Sequence, residues 1–166
     1  MPNPNYPTTC GLDLGIGALL TQGDYAGNYF AATGRINQIT IVDTRDTDAG
    51  WTLNGRMSAF TGPGGETFSG NHLGWDPEKT WDSAATLAGY DMTVTAGTAR
   101  QPVAPSSTAG LGDASNETNN LLAKALAKAN TGAGLGMAVI DARVRLLVPV
   151  TVNAGTYTGT LTFTIV

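Results

Sequence analysis

The sequence predicts an all-β, sandwich-like fold of roughly seven to ten antiparallel strands, with at most one short helix and one long irregular loop. Apolar residues alternate with polar ones along several short segments, as they do in half-buried strands. Turn-forming residues separate these segments, and the 166-residue chain holds 22 glycines. We therefore expect a single β domain over residues 10–166, preceded by a linker or extended lead-in at residues 1–9 that is rich in Pro and Asn.

The clearest alternation lies at the C-terminal end of the chain. Every second residue from Ala142 to Val152 is apolar, and from Tyr157 to Ile165 residues at odd positions alternate with Thr at every even position from 156 to 164. Because successive side chains of a strand point to opposite faces, both runs predict strands with one buried face. The segment Asn153-Ala154-Gly155 between them favours a tight hairpin, with the final strand paired in a sheet.

The remaining strands follow weaker patterns. We place them over 10–20, 28–33, Arg35–Val42, Trp51–Phe60, 91–96 and 136–141. The polar segment 43–50 predicts a long-loop hairpin between Arg35–Val42 and Trp51–Phe60.

Two segments do not show a strand pattern. Residues 62–86 begin with Gly62-Pro63-Gly64-Gly65 and predict an irregular loop. Residues 113–129 are predicted by local propensity to be a helix of about three turns, although an irregular strand remains the alternative.

The composition excludes several classes of function. Charged residues make up 13% of the chain, and its net charge is -4, whereas nucleic-acid binding requires clustered Lys and Arg. No apolar run reaches the ~20 residues of a membrane span, so no membrane insertion is expected. Abundant Thr and Gly with one cysteine, Cys10, favour a bacterial extracellular protein. Since Met1–Asn5 lacks the features of a signal peptide, an exported protein would be represented here by a mature fragment or an excised domain, and we expect an excised domain.

Two sets of residues resemble a known family. Val42-Asp43-Thr44-Arg45 followed by Gly50-Trp51-Thr52-Leu53 resembles the first signature block of the WxL domain, which is found on the surface of Gram-positive bacteria. Leu146-Leu147-Val148-Pro149 followed by Ala154–Ile165 resembles its closing block. The second Trp-x-Leu is replaced by Phe163-Thr164-Ile165, which keeps the apolar character.

This resemblance implies a non-catalytic module that binds peptidoglycan or another cell-wall glycan without a covalent bond. It also implies an extracellular location at the cell wall, display of a larger surface protein, and roles in adhesion and multi-protein surface complexes. The alternative is a protein-docking or adhesin module, which binds another surface protein by strand addition or a loop patch. No cofactor is implied by either interpretation.

Aromatic and apolar residues are the ligand-binding candidates. Stacking on sugar rings requires exposed aromatic faces, whereas a Trp in a regular strand is more often part of the core. Both interpretations stay open for the Trp-x-Leu positions, while aromatics on the irregular loop are better binding candidates. The candidates are Trp51, Leu53, Trp75, Trp81, Phe163 and Ile165.

Other chemistry is less well supported by the sequence. Asp43, Asp46 and Asp48 share a short turn, as calcium ligands do, but lack EF-hand spacing, and we expect them to cap the turn. A wall hydrolase could draw two carboxylates from Asp76, Glu78 and Asp82, which nothing but their acidity marks. A Cys10–His72 nucleophile and base is regarded as coincidental. We therefore expect no catalytic residues and no metal.

Overall fold

The computed structural model describes residues 11–84, 89–103, 110–112 and 123–166. Within these residues the chain forms strands and two short 3₁₀ turns, Pro63–Gly65 and Gly70–His72. The strands are β1 (Ala18–Leu19), β2 (Tyr29–Arg35), β3 (Ile39–Asp43), β4 (Trp51–Met57), β5 (Phe60–Thr61), β6 (Thr67–Phe68), β7 (Leu73–Asp82), β8 (Val94–Ala96), β9 (Lys124–Ala129), β10 (Gly136–Pro149) and β11 (Leu161–Ile165).

The strands form two main antiparallel sheets, and the predicted all-β, sandwich-like class is confirmed. The first sheet contains β1, β2, β3, β7 and β10. The second sheet has the order β11-β4-β9-β8, and β5 pairs with β6 separately. Apolar residues from the inner faces of both sheets form one core.

Strand β10 is the centre of the first sheet. Its C-terminal half pairs with β2 and its N-terminal half with β3, while β7 pairs along its other edge. Every even-numbered residue from Ala138 to Leu146 is buried, so this face of β10 points into the core. The odd-numbered residues from Met137 to Arg145 therefore lie on the outer face of the first sheet.

Both predicted hairpins are wrong. β3 lies in the first sheet and β4 in the second, so residues 43–50 connect the two sheets. In the same way, β10 pairs in the first sheet and β11 pairs with β4 in the second. Alternation correctly predicts β4 and β10 with their buried faces, but it does not specify which neighbour a strand pairs with.

The predicted loop at 62–86 is only partly confirmed. Residues 62–72 are irregular apart from β6 and the two 3₁₀ turns, but Leu73–Asp82 is a ten-residue strand. Pro77 and the polar residues around it obscured this strand, and a proline is tolerated there because β7 lies at the edge of the sheet. Pairing with β10 over nine register positions outweighs the weak local propensity.

The helix prediction for 113–129 is wrong for the part that the structure describes. Lys124–Ala129 is strand β9, which lies between β4 and β8. Its Ala, Leu and Lys residues favour helix locally, but hydrogen bonding to strands on both sides overrides that preference. Residues 113–122, like Cys10 and residues 1–9, lie outside the described residues.

A tryptophan on one sheet fills the space above a glycine on the other. Trp75 on β7 is 2% exposed, and a Cβ atom on Gly55 of β4 would lie 2.6 Å from its ring. The Trp75 indole therefore occupies the volume that a side chain at Gly55 would need, and this contact sets the local spacing of the sheets.

Replacing Gly55 with alanine tests this contact. We expect Gly55→Ala to lower the free energy of unfolding by about 1–3 kcal/mol, the usual effect of overpacking a core. The melting temperature measured by circular dichroism should fall by several degrees. Gly11→Ala is the control, since Gly11 is exposed and a Cβ atom added there would meet nothing within 4 Å. Equal melting temperatures for the two variants would show that Trp75 does not pack over Gly55.

Candidate functional site

The six candidate residues fall into three groups: buried, half-buried and exposed. Trp51, Leu53 and Trp75 belong to the core, with Trp51 only 4% exposed. Phe163 is half-buried and packs against the core. Ile165 is 51% exposed and Trp81 is 37% exposed. The buried three cannot contact a polymer in this structure, so Trp81 and Ile165 are the candidates that a ligand could reach.

The first signature block has a structural role in linking the two sheets. The Arg45 side chain binds the Asp43 carboxylate, with Nη2 2.6 Å from Oδ2, and also donates to the carbonyl oxygen of Gly50 at 2.9 Å. The hydrogen bonds from Arg45 hold the pKa of Asp43 below its ordinary value. Trp51 follows directly and donates from Nε1 to the carbonyl oxygen of Gly134 at 3.3 Å. The end of β3 is thus tied to the start of β4.

Gly50 is required where this connection passes β9. Its φ of 75° lies in the left-handed region, and a Cβ atom would lie 2.7 Å from the carbonyl oxygen of Ala129. Both conditions exclude larger residues. The Gly-Trp pair of the signature therefore reflects backbone geometry and core packing.

Two of the three acidic residues in the same turn bind groups of the protein itself. Asp43 binds Arg45, and Oδ1 of Asp48 accepts a hydrogen bond from the backbone N–H of Gly134 at 2.7 Å. Across the described ranges, no group of three or more His, Cys, Asp or Glu residues could hold a metal ion. The turn is organised as a cap and an ion pair.

The outer face of the first sheet has an apolar end. Trp81 on β7 and Thr40 on β3 both lie opposite Val139 of β10, so the three share one face. Val42 pairs with Met137 on the same face, and it is exposed. An exposed indole is thereby presented on a rigid, open sheet surface.

The middle of the same face carries a groove with a volume of about 510 Å³. We call this the charged groove. Its polar lining includes Thr33, Arg35, Asp76, Arg100, Arg143 and Arg145. β2, β10 and β7 supply its floor, and the segment after β8 supplies Arg100.

One arginine of the charged groove is fixed by carboxylates. Nη2 of Arg35 lies 2.6 Å from Glu78 and 3.0 Å from Asp141. The hydrogen bonds to Glu78 and then to Asp141 raise the pKa of Arg35. Asp141 is buried, so Arg35 neutralises a carboxylate that would otherwise be costly to bury.

Two of the three carboxylates considered for hydrolysis, Glu78 and Asp82, are held in ion pairs. Glu78 binds Arg35, and Asp82 binds Nζ of Lys79 at 2.8 Å. Burial alone would raise the pKa of Asp82, but hydrogen bonds from Lys79 and from the backbone N–H groups of Val94 and Ala84 lower it overall. A general acid for glycan cleavage needs a raised pKa.

His72 belongs to an aromatic cluster at the other end of the sheet. Its ring centroid lies 5.8 Å from that of Tyr29 and 5.2 Å from that of Phe68. Nδ1 lies 2.7 Å from the carbonyl oxygen of Leu147, to which it donates when protonated there. Cys10 lies outside the described residues, and the position of His72 indicates a packing role.

The arginines of the charged groove were not among the residues predicted from the sequence. The alternation in Ala142–Val152 indicates an apolar face. The intervening residues Arg143 and Arg145 indicate a positively charged opposite face. Their position two residues apart on a strand already placed them on one face. What the sequence did not supply was β7, which brings Asp76 and Arg100 beside them.

These observations define a β-sandwich domain with an open, charged sheet face. The chain belongs to the WxL domain family, because the family model described as WxL domain, surface cell wall-binding, matches residues 19–166. The resemblance in the two signature blocks is thus confirmed, and this is a cell-surface domain that binds the cell wall. Comparisons with curated proteins and with solved structures gave no match. None of the helices in the described ranges has the length and apolar character needed to cross a membrane.

The environment of His72 predicts a pH-dependent stability. Burial lowers the pKa of His72, against the opposing effect of the hydrogen bond to Leu147. The unfolded chain therefore binds a proton at a higher pH, near the ordinary value of about 6.5. Stability is fully present above that pH and is lost as the pH falls towards the lowered pKa of the folded state.

Thermal melting between pH 7.5 and pH 5 measures this effect. The melting temperature of the wild-type protein should fall across this range, and the His72→Gln variant should lack that part of the decrease. Carboxylates titrate mainly below this range and affect both proteins alike. Parallel pH profiles for the two proteins would contradict the assignment.

Proposed function

We propose that this domain binds the peptidoglycan of a Gram-positive wall non-covalently, through the outer face of its first sheet, and so anchors a larger surface protein. The observation that carries the proposal is the exposed Trp81 on an open sheet face beside the charged groove. A rigid sheet with an exposed indole and nearby polar groups suits a glycan, since the ring stacks on a sugar and the polar groups bind hydroxyls.

The mechanism is binding without chemistry. Trp81 supplies the apolar surface. Thr40 on β3 lies on the same face, because both residues are opposite Val139 of β10. The affinity of one such site is modest, and repeated sites along an insoluble polymer raise the overall retention. Glu78 and Asp82 are held in ion pairs, which supports a non-catalytic role.

Co-sedimentation with purified, insoluble peptidoglycan tests the proposal. Wild-type protein should pellet with the polymer, and Trp81→Ala should reduce the bound fraction at least several-fold because the stacking surface is lost. Phe30→Ala is the matched control. Phe30 is 39% exposed, and it pairs with Val148, nine residues along β10 from the partner of Trp81. That separation corresponds to roughly 30 Å.

Circular dichroism melting of all three proteins shows whether each variant is folded. Equal pelleting of folded Trp81→Ala and wild type would exclude Trp81 from the binding surface. Wild-type protein that stays in solution would overturn wall binding through peptidoglycan.

A second candidate function is docking of another surface protein by strand addition. Strand β11 is an edge strand of the second sheet and pairs with β4. Its residue Ile165 is exposed, as is Val166. An exposed strand edge offers backbone hydrogen bonds to an extended partner. Soluble wall fragments should compete with glycan binding, whereas they should leave docking unchanged.

A further inference from the structure

The charged groove concentrates positive charge on an acidic protein. The chain has six arginines and a net charge of -4. Four of the six, Arg35, Arg100, Arg143 and Arg145, line this one groove together with a single carboxylate, Asp76. Glu78 and Asp141 border the groove and bind Arg35, so the arginines still outnumber the carboxylates here by four to three.

Arg143 and Arg145 are placed side by side without neutralisation by the described residues. Both lie on the outer face of β10, two residues apart, which separates their Cα atoms by roughly 7 Å. Neither forms an ion pair with a residue that the structure describes. Arg143 also lies directly opposite Arg35 on β2, and like charges in that relation repel.

Two of the three nearby carboxylates are committed elsewhere, and the third, Asp76, lies opposite Arg143 on β7 without forming an ion pair with it. Glu78 and Asp141 both bind Arg35, which leaves Arg143 and Arg145 to face the open groove. The arginine side chain presents a planar fork of N–H donors that matches the oxygens of a carboxylate or a phosphate. Two such side chains on one face of a groove are suited to binding anionic groups.

We propose that Arg143 and Arg145 bind the carboxylate or phosphate groups of an anionic wall polymer in the charged groove. This inference rests on the proposed function, and it adds the chemical class of the ligand. The rows of Trp81 and Arg143 are four residues apart along β10, or roughly 13 Å. A polymer crossing this face can place a sugar ring on Trp81 and an anionic group on the arginines at the same time.

The first test measures anion binding without any wall. The ¹⁵N-labelled domain is titrated with inorganic phosphate and, separately, with acetate, and the backbone amide signals are followed by NMR. Signals of residues 143–145 should shift in the wild type, and these shifts should be absent in Arg143→Gln/Arg145→Gln. Unchanged signals of residues 143–145 in the wild type would overturn the inference, whatever the wall experiment shows.

The second test uses insoluble walls before and after acid extraction of phosphate-containing polymers. The double variant should bind at least about tenfold more weakly than the wild type, as expected for loss of two charge-assisted contacts. Wild-type binding should also weaken as salt concentration rises. Lys124→Gln/Lys128→Gln is the control, since it removes two positive charges from β9 in the second sheet.

The outcomes separate the two proposals. Wild-type binding that survives extraction and is weakened by the double variant identifies carboxylates as the anion, and binding that is lost identifies phosphate. If the folded double variant binds both walls as the wild type does while Trp81→Ala does not, the groove inference fails and glycan binding stands. If NMR shows anion binding but no wall is bound, Arg143 and Arg145 form an anion site, and both its assignment to a wall polymer and wall attachment fail.

Discussion

The structure depends on the hydrogen bonding of β10 along both of its edges. β2 and β3 share one edge of β10, and β7 occupies the other edge. β10 therefore pairs with three of the other four strands of the first sheet. Its even-numbered side chains form the inner face, where small residues such as Ala138 and Ala142 are fully buried beside Ile140. Because the strand alternates, the same backbone fixes the positions of Arg143 and Arg145 outside. Core and candidate site are two faces of one element.

The family signature is explained by the passage of the chain between sheets. A connection that leaves β3 and enters β4 in the opposite sheet must turn within seven residues, 44–50. Arg45 fixes this turn by bridging Asp43 and Gly50, and Gly50 allows the close approach to β9. Trp51 then enters the core. The tryptophan of the signature is thus a buried, structural residue in this chain.

Much of the fold could be predicted from the sequence, because alternation reports burial directly. β4 and the long β10 were identified with the correct buried faces, and the all-β class followed. Strand pairing was not predicted. The two-residue alternation of a strand is the same whether it pairs with the next strand in the chain or with a strand of the other sheet. β7 and β9 were missed for opposite reasons. β7 has weak strand propensity and β9 has strong helix propensity, and in both cases the pairing partner decides the structure.

The same reasoning explains why only part of the candidate site could be predicted from the sequence. Trp81 was a candidate because of its aromatic ring, but its position depends on a β-bulge: Val139 pairs with Trp81 and Ile140 with Lys79, so Thr80 is the extra residue. Thr80 donates from its side-chain hydroxyl to the carbonyl oxygen of Val139 at 2.9 Å. Without that extra residue, Trp81 would point to the inner face. A bulge at the sheet edge therefore turns a tryptophan that alternation would bury towards the outer face, in line with the arginines of β10.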